Sequence, residues 1–204
     1  MRIAIVGAGG HGKAVADAVV ARGADHLVGF LDDDSSLWGR THFGFPVLGP
    51  ADSWRTHSID AIVVGIGENM ARKRQFDRLK AAGAKLATVV HPHTTFGKGV
   101  VLDDGVVALA QVVVNPDTHV GANTILNTAS TVDHDCNIGA HCHLAPGVRI
   151  AGDVTLGDGV FAGIGAVVIP GISIGSWSVI GAGAVVIRNA AEGVKLVGVP
   201  AKAV

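Results

Sequence analysis

His134 stands between two carboxylates in the run Val132-Asp133-His134-Asp135-Cys136. An imidazole beside a carboxylate can be held in one tautomer, take a proton from a nucleophile and be stabilised as the imidazolium. By spacing alone the same residues also describe an exposed polar turn. A second histidine, His143, precedes Leu144-Ala145-Pro146-Gly147 and by itself reads as a surface histidine. Near the start, Gly7-Ala8-Gly9-Gly10-His11-Gly12 fits G-x-G-x-x-G, with Asp32 about twenty residues later, as in dinucleotide-binding folds. Such a loop can also wrap backbone N–H groups and a helix N-terminus around a single diphosphate, with Asp32 or Asp33 on the nucleoside and His11 on a phosphate. His141, His143, Cys136 and Cys142 invite comparison with a metal cluster.

These groups sit in two segments with different grammars, split at His91-Pro92. Residues 1–92 alternate apolar runs and helix-like runs. Strands are expected at Ile3–Val6, Leu27–Leu31, Ala61–Val64 and Leu86–Val90, and helices at Gly12–Arg22 and Met70–Ala82. Strands separated by helices predict a small Rossmann-like parallel sheet. About ninety residues leave little room for the second mononucleotide half of an NAD site, which favours a nucleotide-sugar site.

Residues 93–204 keep a period of six. Every sixth residue from Phe96 to Val186 is apolar without interruption, and the residue four further on is small or β-branched, as at Thr118, Ser130, Cys136 and Cys142. That period fits neither an α-helix nor an amphipathic strand. It fits a left-handed parallel β-helix of hexapeptide repeats, three to a coil, with about five coils stacked roughly 4.8 Å apart. The apolar residue points inward and the small one fills the space beside it. Glycine often follows the apolar position (Gly97, Gly121, Gly139, Gly157, Gly163, Gly175, Gly181), where a corner can require backbone angles other residues resist. Cys136 and Cys142 fall on inward positions, so they should not ligate an outside metal or act as acyl nucleophiles; no metal is expected. His134, two places after Val132, should face outward. His143 lies half an eighteen-residue coil away and need not share its face.

The repeats resemble the hexapeptide acyltransferases. The order of the glycine loop with Lys13, then Phe30-Leu31-Asp32-Asp33, then Asn127 and the His134 run, closing on Gly198-Val199-Pro200-Ala201-Lys202, resembles the nucleotide-sugar N-acetyltransferases of the bacillosamine and perosamine pathways and the related sialic acid O-acetyltransferases. The resemblance covers essentially the whole chain. It implies a homotrimer that transfers acetyl from acetyl-CoA to the 4-amino group of a nucleotide-linked amino-deoxy sugar. His134 would be the general base, with Asp135, where relatives often carry Glu, beside it. Substrate contacts would come from Gly9, Gly10, His11, Asp32, Asp33, Gly67 and Asn127. Acetyl-CoA contacts would come from His143, Gly152 as an oxyanion donor, Ile164, Ala182, and Lys202 on a phosphate. Two alternatives stay open: O-acetylation of a free sugar such as sialic acid, or a non-catalytic NAD-type protein.

Composition narrows the partners. Sixteen basic residues against seventeen acidic ones, a net charge of −1 and no tyrosine argue against nucleic acid. The uncharged stretch from Gly159 to Ile187 is long enough to suggest a membrane span, but it carries seven glycines, Pro170 and the hexapeptide period. The opening Met1–Val6 lacks the features of a signal peptide, and two cysteines make no disulfide framework, so a cytoplasmic location is expected.

Overall fold

Strand β1 (Arg2–Val6) is apolar from Ile3 to Val6 because it is the central strand of a covered parallel sheet. It pairs with β2 (His26–Leu31) on one side, and its other neighbour is Ala61–Val64. The computed structural model describes all residues, Met1–Val204, which divide into two units, Met1–Pro92 and His93–Val204. In the first, helix α1 (Gly10–Arg22) links β1 to β2 and packs on both, ending at Gly23, whose φ of 66° is left-handed. A hairpin of β3 (Thr41–His42) and β4 (Phe45–Pro46) follows, and then β5 (Ala61–Val64). Helix α2 (Asn69–Ala81) packs on β5, its first turn capped by the Glu68 carboxylate, which accepts from the N–H groups of Met70 and Ala71.

One expected strand is not continuous. Leu86 makes a single parallel bridge to Ile62, and only Val89–Val90 is extended as a strand. The sheet of this unit therefore has three strands, and between Leu86 and Val89 the Thr88 carbonyl accepts from the Arg22 guanidinium at 3.4 Å.

The second unit is a triangular coil of sixteen two-residue strands, from Thr95–Phe96 to Val185–Val186. Strand partners are eighteen residues apart, as in Val113 with Thr131 and Thr131 with Arg149. Each residue therefore lies over the one eighteen further on. A hairpin of Lys195–Gly198 with Ala201–Ala203 closes the chain. The sixteen apolar positions line the interior; all are buried except Phe96 and Leu102, half-buried in the first coil, which has a neighbouring coil on one side only within this unit. Inward hydroxyls and thiols are satisfied across coils: Thr118 donates to the Asp133 carbonyl, Thr124 to Gly139, Cys136 to Ala151 and Cys142 to Gly157.

The glycines after the apolar positions have a different cause from the one expected. None of Gly97, Gly121, Gly139 or Gly157 has a positive φ; a Cβ at Gly121 would lie 2.5 Å from the Ala140 nitrogen of the next coil, so packing between coils excludes a side chain. The left-handed residue comes two places later, where Asp117, Asn123, Asp135, His141 and even Trp177 take φ of 58–59°.

The register predicts a sharp contrast between neighbours. Ile138 is fully buried and Asn137 exposed. Ile138→Asp places a charge in the core and should destabilise the unit by roughly 3–5 kcal/mol or abolish folding, whereas Asn137→Asp should change stability by about 0.5 kcal/mol or less. Thermal unfolding of the two variants checks this; equal losses would refute the register.

Candidate active site

His134 occupies the corner after the strand Thr131–Val132, with Pro116 and Gly152 at the matching places in the adjacent coils. Its side chain is 58% exposed, and its Nδ1 lies 2.7 Å from Asp135 Oδ2. An ionised carboxylate only accepts, so Nδ1 carries the proton and, in the neutral ring, Nε2 keeps its lone pair. Asp133 is fixed separately: its Oδ1 accepts from Asn115 Nδ2 at 2.7 Å and from the His134 N–H at 2.9 Å. The Asn115 hydrogen bond and then that N–H hold the Asp133 carboxyl below its usual range. The hydrogen bond to Asp135, followed by the charge of Asp133, pushes His134 above its ordinary value of 6.5, with Asp153 adding to the effect. The imidazole lies against Gly152, where a Cβ would come 2.7 Å from its Cε1. The Gly152 carbonyl accepts from Gly171, while its N–H makes no hydrogen bond within the chain. A vacant donor beside a base is the arrangement an oxyanion requires. Cys136, nearby in sequence, is buried, and burial pushes its thiol up, away from nucleophilic character.

In the amino-terminal unit the chain passes from β1 to β2 on one side and later crosses to β5 on the other, which makes a topological switch point at the C-terminal ends of β1 and β5. The loops there are Gly7–Gly10 and Gly65–Glu68. Gly12 and Gly65 are glycines for packing: a Cβ on Gly12 would strike the Gly7 carbonyl, and one on Gly65 would lie 2.6 Å from Ile5 Cγ2. Gly9 and Gly10 differ, because a Cβ at either would meet nothing within 4 Å. They border open space at the N-terminus of α1, which has no side-chain cap. Gly67 faces His11, its would-be Cβ 3.8 Å from His11 Cβ. Asp32 ties the loop in place, accepting from the N–H groups of Ala8 and Asp34. Asp33 accepts from Ala51, Gln75 and Arg78. Contact of either aspartate with a nucleoside would use its remaining lone pairs.

Comparison with known proteins is consistent from end to end. Residues 2–79 match the PglD N-terminal domain, and residues 153–188 match the bacterial transferase hexapeptide (six repeats). A variant of perosamine N-acetyltransferase from Caulobacter crescentus, solved with CoA and GDP-perosamine, is 35% identical, with a TM-score of 0.94 over 100% of this chain and 97% of that one. The chain belongs to the hexapeptide-repeat nucleotide-sugar N-acetyltransferases. The acetyltransferase domain of PglB from Neisseria gonorrhoeae, in complex with acetyl coenzyme A, is 33% identical, with a TM-score of 0.92 over 100% and 98% of the two chains. UDP-N-acetylbacillosamine N-acetyltransferase from Bacillus subtilis is 33% identical over 110 residues, 53% of this chain and 51% of that protein, so the match spans about half of that curated relative. Membership makes this chain an acyltransferase with acetyl-CoA as co-substrate.

The remaining family positions fall into three sets. Asn127 and His143 meet on the third face of the coil, where the Asn127 amide donates to His143 Nε2 at 3.1 Å and Phe161 packs edge-on at 5.4 Å. That face lies opposite the His134 corner, so one chain does not unite the two groups. Ile164 and Ala182 share another corner one coil apart, and Ile164 is a large residue, 63% exposed. Lys202 lines a cavity of about 410 Å³ with Arg188 at the end of the coil. No group of three or more His, Cys, Asp or Glu side chains converges as a metal site, and no helix is long and apolar enough to cross a membrane. Asn115 and Phe161 were not anticipated, although each lies eighteen residues from its partner. His42, which donates to the Gly9 carbonyl at 3.2 Å, carries no such signal.

The acidic neighbours set the pH dependence. Because Asp135 and Asp133 stabilise the imidazolium, the neutral, proton-accepting form dominates only above a raised midpoint. The acid limb of kcat/KM should therefore lie above that of a free imidazole, and Asp135→Asn should move it to lower pH. Pre-steady-state rates across pH for wild type and variant test this; an unmoved limb would separate Asp135 from the ionisation.

Proposed function

We propose that this acyltransferase acetylates the 4-amino group of a nucleotide-linked amino-deoxy sugar by direct transfer, with His134 as general base. The amino-terminal unit binds the nucleotide through Gly9, Gly10, His11 and Gly67, with Asp32 and Asp33 bordering them. The observation that carries the chemistry is the Asp135–His134 pair with the vacant Gly152 N–H beside it. Nε2 removes a proton as the sugar nitrogen attacks the thioester carbonyl. The Gly152 N–H meets the oxyanion, the C–S bond breaks, and the imidazolium returns the proton to the departing sulfur. Buried thiols support transfer without an acyl-enzyme.

Three carboxylates, Asp133, Asp135 and Asp153, surround the imidazole. They attract a sugar ammonium, which gives one proton to solvent before the neutral amine attacks, and repel a free acid sugar, which supports N-acetylation over O-acetylation of sialic acid. The pantetheine arm runs by Ile164 and Ala182, with Lys202 meeting a phosphate. A homotrimer supplies what one chain lacks, bringing His134 of one copy near Asn127 and His143 of another.

His134→Ala should lower kcat by about 10²–10⁴-fold while acetyl-CoA binding stays near wild type. His11→Ala should act chiefly on the KM for the nucleotide sugar. A turnover screen of acetyl-CoA with UDP-, GDP- and TDP-linked 4-amino sugars, followed by both variants, is the measurement; near-normal turnover of His134→Ala would place the base elsewhere.

Light scattering at micromolar concentration should report a trimer. A fully active monomer would contradict the shared site.

A further inference from the structure

Arg72 heads the fully buried side chains, at 1% exposed, although it lies on the most charged helix of the chain. A guanidinium is kept from water at high cost unless its donors are used. Its Nη1 donates to the carbonyls of Ile66 at 3.2 Å and Gly67 at 3.1 Å, and its Nη2 to Asn69 Oδ1 at 2.9 Å. The Arg72 backbone N–H takes the next carbonyl, that of Glu68, at 2.9 Å. Three consecutive carbonyls of the loop after β5 thus point at one residue. In a trans peptide the N–H opposes the C=O, so the N–H groups of Gly67 and Glu68 are turned away from Arg72. Gly67 is the residue that faces His11, at the switch point where Gly9 and Gly10 border open space.

We propose that Arg72 is a positioning residue for the diphosphate of the nucleotide sugar. It locks the Ile66–Glu68 loop with its N–H groups outward, as the second wall of an anion cradle whose first wall is the N-terminus of α1. Its fixed charge lies behind that wall. The planar fork suits this task better than an ammonium, which keeps the charge but cannot serve the same acceptors in the same geometry. The proposal rests on the nucleotide-binding reading of the amino-terminal unit.

The experiment is calorimetric titration of the full chain with UDP, GDP and dTDP, and separately with CoA, for wild type, Arg72→Lys, Arg72→Met and Asn69→Ala. Arg72→Met should weaken the nucleotide that wild type binds by about tenfold or more, Arg72→Lys and Asn69→Ala by less, and none should move CoA by more than about twofold. In steady state the loss should appear in the KM for the nucleotide sugar, with kcat nearly unchanged. A merely structural arginine would instead lower the melting temperature while the folded fraction kept its nucleotide affinity, and that result would overturn the proposal. If Arg72→Met does not fold, unchanged nucleotide affinity in both Arg72→Lys and Asn69→Ala would overturn it equally. Wild-type protein that binds no nucleoside diphosphate or nucleotide sugar would overturn the nucleotide reading and this proposal together, whereas wild-type binding with indifferent variants would overturn this proposal alone.

Discussion

Everything in the carboxy-terminal unit depends on the hydrogen-bonded register of eighteen residues between coils. A strand of two residues has almost no stability of its own. Stacked through its N–H and C=O groups on the coils above and below, it becomes part of a continuous parallel sheet. The same register stacks the side chains into columns. Pro116, His134 and Gly152 form one such column, and the imidazole has room only because the residue above it lacks a Cβ. Asn115 reaches Asp133 for the same reason. The His134 corner is assembled from local repeats rather than from distant loops, so its geometry is tied to the backbone ladder.

The amino-terminal unit solves a different problem. Its sheet has only three strands, and the edge at its switch point consists of two loops with little apolar content. Polar anchors hold them: Asp32 on the first and Arg72 on the second, each directing backbone groups rather than offering its own. In one unit apolar periodicity places the chemistry, and in the other buried polar bonds do.

This division explains what was legible in the sequence. The β-helix could be read because one interior position recurs every six residues, and that register already put His134 outside and Cys136 and Cys142 inside. Applied once more, at eighteen, it would also have paired Asn115 with Asp133 and His143 with Phe161. The glycines were located correctly but explained by the wrong force, since backbone angle and coil-to-coil clearance leave the same letter in the sequence. The hairpin bearing His42 turns on Phe43 and Gly44, both with positive φ, and lacks the Asn-Gly or Asp-Gly pair that signals such a turn. Arg72 was hidden because a basic residue on a charged helix reads as solvent-facing, and only tertiary packing shows that it is buried. The fourth strand failed because Leu86–Val90 has the apolar content of a strand but continuous pairing partners only in part.

An uninterrupted stack is also a ruler with a single graduation. Counting by register, His134, Gly152, Pro170 and Arg188 follow one another along the same corner, so Arg188 stands three coils from His134, about 14 Å at the spacing of paired strands. That separation cannot be adjusted gradually. Deleting or duplicating one coil would change it by about 4.8 Å, whereas a single hexapeptide would keep the inward phase but carry every later residue to the next face. A ligand reaching from His134 to the cavity lined by Arg188 and Lys202 would therefore be measured in whole coils.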